Sequence, residues 1–331
     1  MSKVIQNREE ILFLYEAKDC NPNGDPLDEN RPRTDSETGV ITVTDVRIKR
    51  TVRDFILNLE TDKEVRLKSG REILIRDTFK EDGYLAQGQD RAKDFYNNAY
   101  SKAKNDQKKL AALGEEVLKK CIDARLFGAT LPLGKGDVGL KLTGPVQFSA
   151  FNRSLHQVSP LLIQQTAAYA GSAKAGQKSF AERWLVPYAL IAAYGVINEM
   201  AAKTTGLNDA DVALLVEALW QGTASLNTHS KMGHLPLLLL RIQYLPGYRL
   251  GALPERIRLV NAKTEEIAIR STSDYEVDVN DLLKNLVEIK DKIAEINVIQ
   301  DKRIKLVAGD KHGDFVTLAG EHGLKATTLS S

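Results

Sequence analysis

The alternation of apolar and polar positions marks out the first elements. Ile11 to Ala17 is a short apolar run bounded by turn formers, which predicts a buried strand. Asn21-Pro22-Asn23-Gly24-Asp25-Pro26 follows as a strong turn signal. A polar loop through Asn30-Arg31-Pro32-Arg33-Thr34-Asp35 leads to a short strand, Val40 to Thr44. Thr44 or Asp45 can cap a helix from Val46 to about Leu59. At about 100° per residue, Ile48, Val52, Phe55, Ile56 and Leu59 of that helix share one arc, and Arg47, Lys49, Arg50 and Arg53 lie outside it.

Further along, residues 62–112 are dense in charge and turn formers, with weak strand signals near Ile73 to Ile75, and read as an insertion. A helix is predicted from about Glu115 to Leu126, then a glycine-rich loop, then a strand from Leu140 to Phe151. From Ser159 to Arg183 the composition shifts to Ala, Gly, Ser, Gln and Lys, which reads as a long flexible loop. Helices are predicted over Val186 to Lys203 and Asp209 to Thr223, the second capped by Asn208 or Asp209. Leu235 to Tyr244 fits a central strand, Val279 to Ile296 an amphipathic helix, and Arg303 to Val307 a last strand. Strands and helices alternating between bulky insertions point to an α+β fold in one elaborated domain over residues 1–331. Its core segments fall at about 10–60, 115–151, 186–250 and 279–307.

Composition narrows the class. The 331 residues are 43% apolar and 27% charged, which excludes wholesale disorder. With 46 basic and 44 acidic residues the net charge is +2, so any nucleic-acid surface must be made by local segregation of charge. Cys20 and Cys121 stand about a hundred positions apart, excluding a disulfide framework and a cysteine-only zinc site. They are expected to be neither bonded nor catalytic. The polar first residues hold no secretory signal, and the apolar stretch Trp184 to Asn198 contains Pro187 and is too short to span a bilayer. The expectation is a cytoplasmic protein with no membrane partner.

Several chemical motifs fail on inspection. Asp19-x-Asn21-x-Asn23-Gly24-Asp25 begins like a calcium loop, but the twelfth position is Asn30 where a bidentate Glu is needed. Gly134-Lys135-Gly136-Asp137-Val138-Gly139 spells a dinucleotide fingerprint with a strand after it, so no helix N-terminus is available for a pyrophosphate. Gly128 to Lys135 is one residue too long for a phosphate-binding loop and lacks its Ser or Thr. His229 and His234 have no zincin spacing, and His156 reads as a structural histidine. No metal, cofactor or catalytic set emerges.

One constellation survives. Arg31, Arg33, Arg47, Lys49, Arg50 and Arg53 place six cations within 23 residues against three acids. Such cations can track a phosphate backbone by releasing its counterions, or can simply form a solvated helix face. Lys174, Lys178 and Arg183 lie in the loop 159–183, with Tyr169 and Phe180 available to stack on bases.

Three blocks, Asn21-Pro22-Asn23-Gly24-Asp25-Pro26, Pro32-Arg33-Thr34-Asp35 and Thr44-Asp45-Val46-Arg47-Ile48-Lys49-Arg50-Thr51-Val52-Arg53, resemble the backbone subunit of type I CRISPR Cascade complexes, most closely the I-B and I-C branches. Cys121 to Gly128, Leu142 to Phe148 and Met232 to Pro236 agree in order, so the resemblance spans about residues 10–245. It implies an RNA-recognition-motif-like (ferredoxin-like) palm with large insertions, the loop 159–183 serving as a thumb. It further implies a non-catalytic subunit that polymerises along the CRISPR guide RNA, beside other Cascade subunits, with target DNA paired to the guide. Lys231, next to the Met232–Pro236 block, joins the expected RNA-contacting set. Neither Ile11–Ala17 nor Leu140–Phe148 shows the base-stacking aromatics of single-stranded RNA modules, which suits backbone tracking. An endoribonuclease of the same broad fold is the alternative, with Asp19, Asp25, Asp35 and His156 as its candidates; a scaffold that binds no RNA is a third.

Overall fold

A computed structural model describes residues 3–132, 139–170 and 178–329. It is a mixed α and β structure that divides into two compact units.

The larger unit comprises residues 10–48, 148–195 and 223–331 and is built on one mostly antiparallel sheet. Its first strand, β1 (Glu9–Cys20), contains the expected apolar run, is buried from Glu9 to Ala17 and lies between two other strands of the sheet. After β1 come the two-residue strands β2 (Gly24–Asp25) and β3 (Arg31–Pro32), paired with each other, and then β4 (Val40–Thr44). Across the sheet the order is Thr327–Thr328, Ile293–Gln300, His234–Tyr244, β1, Lys178–Ile197, Phe151–Gln157, β4. Leu12, Leu14, Tyr188, Leu240, Tyr244 and Ile296 from these strands join Leu282, Leu283, Leu286 and Phe315 in one buried core.

The smaller unit comprises residues 1–9, 49–147 and 196–222. It contains most of helix α1 (Asp45–Leu59) and the charged insertion. Thr44 begins α1 by accepting a hydrogen bond from the Arg47 N–H, and Ile48, Val52 and Ile56 are buried as the apolar arc requires. Asn208 caps Asp209–Ala224 through the N–H groups of Ala210 and Asp211. The insertion is folded: Lys63–Ser69, Gly88–Lys93, Asn98–Lys102 and Asp106–Lys120 are helical, and Leu74, Phe95, Leu113 and Val117 share a core.

Four expectations are corrected. Val186 to Lys203 is not a helix; a strand runs from Lys178 to Ile197 and only Glu199–Thr205 is helical. A continuous apolar run does not distinguish strand from buried helix, and Pro187 and Gly195 both argue against the helix. Second, the loop 159–183 is largely a hairpin. Leu161–Ala170 pairs antiparallel with the outer part of the long strand, from Phe180 opposite Thr166 to Leu185 opposite Leu161. The inner part of that strand pairs with Phe151–Gln157 through Ile191 and Ala192, so Pro187 falls between the two stretches. Third, the strand expected from Leu140 to Phe151 is three pieces, Gly139–Thr143, Val146–Phe148 and Phe151–Gln157, separated at Gly144-Pro145 and Ser149-Ala150. Fourth, the helices expected at 115–126 and 279–296 are each cut short. Cys121 is extended between Asp106–Lys120 and Ile122–Phe127, and Asn280–Glu288 gives way to the strand Ile293–Gln300. The strand expected over Arg303 to Val307 is Leu306–Ala308, and two short strands follow it, Lys311–Gly313 and Thr327–Thr328. The glycine pattern 134–139 and Lys174 lie outside the described residues, the former but for Gly139.

Candidate nucleic-acid interface

The turn after β1 is a hydrogen-bonded frame for the arginines that follow it. Asn21 Nδ2 donates to the Asn30 carbonyl at 2.7 Å, and Asn23 Oδ1 accepts from both the N–H and the hydroxyl of Thr44 at 2.8 Å. Asp25 takes the Arg33 guanidinium at 2.9 and 3.3 Å. A side chain at Gly24 would crowd this turn, since a Cβ there would lie 2.7 Å from the Asn30 backbone carbonyl oxygen. The Asn-Pro-Asn-Gly-Asp-Pro block is thus a scaffold whose side chains fasten the segment from Asn30 to Thr44.

A second segment closes on the same end of β1. The Asn21 N–H donates to the Ser230 carbonyl and the Lys18 N–H to that of Gly233. A Cβ on Gly233 would stand 1.7 Å from the Lys18 carbonyl oxygen, so only glycine permits this approach. Lys231 turns its ammonium onto the carbonyls of Asn21 and of Pro22, the latter at 3.1 Å. Burial first, and then the Arg47 charge, lower its pKa to about 8 against a smaller opposing effect of Cys20. Beneath lie buried His234, tilted against Tyr15, and Cys20, whose thiol burial pushes up to about 12. Both cysteines are free and buried.

The expected cations divide by what holds them. Arg31 is exposed on β3, its guanidinium 4.8 Å from the centre of the Trp184 ring. Arg33 is tied to Asp25, and Arg183 reaches the ring Nε2 of His229 at 2.6 Å. Lys178 pairs through its backbone with Ala170. On α1, Arg47 and Lys49 are half-buried, with Lys49 3.3 Å from Gln147 Oε1, and Arg50 is exposed but paired with Asp54 at 2.7 Å. Arg53 belongs to the fold. Its side chain is 12% exposed and bonds at 3.0 Å to Asp123, a buried carboxylate that also accepts from the N–H groups of Leu74 and Ile75.

A groove of about 740 Å³ runs beside β3 and β4, lined by Arg31, Arg33 and Arg153 with Asp25, Asp28 and Asp35 and the half-exposed Phe151. The sequence reading does not reach Arg153 and Phe151, because the apolar pattern places the end of a strand at Phe151 rather than its beginning. The exposed–buried alternation of Phe151-Asn152-Arg153-Ser154 carries the signal. Two of the acids expected of a nuclease are otherwise engaged: Asp25 holds Arg33, and Asp35 accepts the N–H groups of Thr38 and Glu37, which lower its pKa; the third, Asp19, lies near the end of β1 with a positive φ. His156 is buried; its Nδ1 faces the Gln157 carbonyl, its Nε2 accepts from the Leu190 N–H, and burial lowers its pKa. Among the described residues no cluster of metal-ligating side chains occurs and no helix is long and apolar enough to cross a membrane.

The family model for CRISPR-associated protein Cas7 matches residues 7–280. This chain belongs to the Cas7 family. A CRISPR-associated protein Cas7 of Haloferax volcanii is 31% identical over 326 residues, spanning 92% of this chain and 90% of the relative. Among solved structures, a chain of a CRISPR RNA-guided surveillance complex, pre-nicking, aligns with a TM-score of 0.54 and 13% identity, covering 95% of this chain and 98% of its own. A chain of another CRISPR RNA-guided surveillance complex aligns at 0.52 and 14%, covering 98% and 95%. At such identities the likeness is one of fold. The Cas7 match takes in all the expected cations, from Arg31 to Lys231.

Proposed function

We propose that this protein is a guide-RNA-binding backbone subunit, copies of which line up along one CRISPR RNA, hold its sugar-phosphate chain and leave its bases to pair with target DNA. Membership of the Cas7 family over residues 7–280 carries the reading. The strand order supports an RNA-recognition-motif-like palm. His234–Tyr244, β1, Lys178–Ile197 and Phe151–Gln157 are the fourth, first, third and second strands of a strand–helix–strand–strand–helix–strand chain, the ferredoxin-like order 4-1-3-2. The paired strands Leu161–Ala170 and Lys178–Leu185 are the thumb of this reading, reaching roughly 25 Å at the usual rise per residue.

Chemistry on the RNA is not part of the function proposed. General acid–base cleavage needs groups free to exchange protons, whereas Asp25, Asp35 and His156 are bound as described. Backbone binding fits a chain of net charge +2 better than wholesale cationic attraction does, since affinity then comes from a few placed side chains. Other subunits of the complex and the target strand are the remaining partners.

The test is a salt titration of binding to two unrelated single-stranded RNAs. Lys49→Ala with Arg50→Ala should weaken both to the same degree and reduce the slope of log K against log salt by about 0.7 for each phosphate that is no longer neutralised. Unchanged affinity and slope in the folded double variant would refute the assignment of α1 to the RNA.

A further inference from the structure

A second, smaller cavity opens at the root of the hairpin. It encloses about 110 Å³ and is lined by Asp19, Asn21, Glu29, Asn30, Glu182, Arg183 and Trp184, with neighbouring residues of the 228–231 turn. Three independent features converge on it. Of the five non-glycine residues with positive φ among the described residues, Asp19, Glu29 and Asn30 belong to this lining. Strain of that kind persists where surrounding structure enforces it, and it clusters at binding sites. Asn21 Oδ1 and Arg183 Nε are buried without a hydrogen-bond partner, an unpaired acceptor and an unpaired donor on the same wall set. The orientation of the Asn21 amide is fixed, because its nitrogen donates to the Asn30 carbonyl. Lastly, Trp184 offers an indole face and carries the exposed Arg31 over its ring.

The lining selects the ligand. Asp19, Glu29 and Glu182 would repel a phosphate at this point, but carboxylates accept readily from hydroxyls. The unpaired acceptor and the unpaired donor call for a group that can both donate and accept, as a hydroxyl does, donating to Asn21 Oδ1 and accepting from Arg183 Nε. His229 holds Arg183 through Nη1, which leaves Nε for the ligand. RNA differs from DNA by such a group at each sugar. We propose that this cavity receives the ribose 2′-hydroxyl of one guide nucleotide and so lets the protein distinguish RNA from DNA. The inference rests on the guide-binding reading above and adds the feature of the strand that is read.

The experiment compares a short single-stranded RNA with its all-deoxy counterpart, uracil retained, so that only the 2′-hydroxyls differ. Binding to the full chain is followed by anisotropy at fixed salt. The RNA should bind about tenfold more tightly, the worth of one or two well-made hydrogen bonds. Asn21→Leu and Arg183→Met should each bring that ratio toward one; the Arg183 variant serves if the Asn21 variant does not fold. Equal affinity of the unaltered protein for the two strands overturns the proposal while leaving guide binding intact. An undiminished ratio in a folded variant also overturns it. Failure to bind either strand would overturn the guide-binding reading itself.

Discussion

His234 lies 4% exposed against the Lys231 carbonyl, 2.6 Å from its Nδ1, where the carbonyl can only accept and the ring must donate. Burial depresses its pKa to about 4, with smaller contributions from Lys231 and Arg47. The unfolded chain therefore takes up this proton near pH 6.5 and the folded chain only near 4, so stability is complete above 6.5 and is lost as pH falls through that window. About 3 kcal/mol is at stake at the usual worth of a pKa unit. Denaturant unfolding between pH 4 and 7 should show His234→Gln less pH-dependent than the unaltered protein by an amount of this order. Identical slopes would refute the account of this site. Single residues also show where sequence reading stops. The helical arc correctly put Arg53 outside the apolar stripe of α1, yet its partner, Asp123, comes from a distant helix that periodicity within α1 does not reveal. Arg31, by contrast, sits in a polar turn flanked by Asn30 and Pro32, and its exposure follows from that context.

The charged insertion illustrates the same limit for whole elements. Its density of charge suggests a solvated segment, but Glu72 is fully buried and bonds Arg66 at 3.0 Å, Arg76 at 2.9 Å and Arg91 at 3.0 Å. Burial raises the Glu72 pKa, and the three guanidiniums outweigh that effect, leaving it below the ordinary value. Glu72→Gln should destabilise the protein by about 3–5 kcal/mol, because Arg66 would remain buried without its counter-charge and Arg91 would keep only Asp94. Chemical denaturation measures this directly; a loss below about 1 kcal/mol would show that the network is dispensable. Elements defined by local signals were legible: β1, β4, α1, Asp209–Ala224 and His234–Tyr244 have caps, turn residues or an unbroken apolar run. The hairpin was not, because small residues near its tip hide a pairing that depends on strands facing one another over Phe180 to Leu185. Nor was the long strand, whose alanines favour helix locally and whose place in the sheet decides otherwise.

At the scale of the molecule, the α+β class and the Cas7 family were both legible, the first from the alternation of elements and the second from the turn and α1 blocks. The frame that Asn21, Asn23 and Asp25 build was visible only as a turn signal, since its bonds reach forward to Asn30, Arg33 and Thr44. On the guide-binding reading proposed above, a near-neutral chain that holds a polyanion through a few side chains would gain affinity by repetition along the strand. Native mass spectrometry of the purified protein on single-stranded RNAs of increasing length tests that directly. The account expects the number of bound copies to rise in steps with RNA length, at a constant number of nucleotides per copy; a single copy at every length would contradict it.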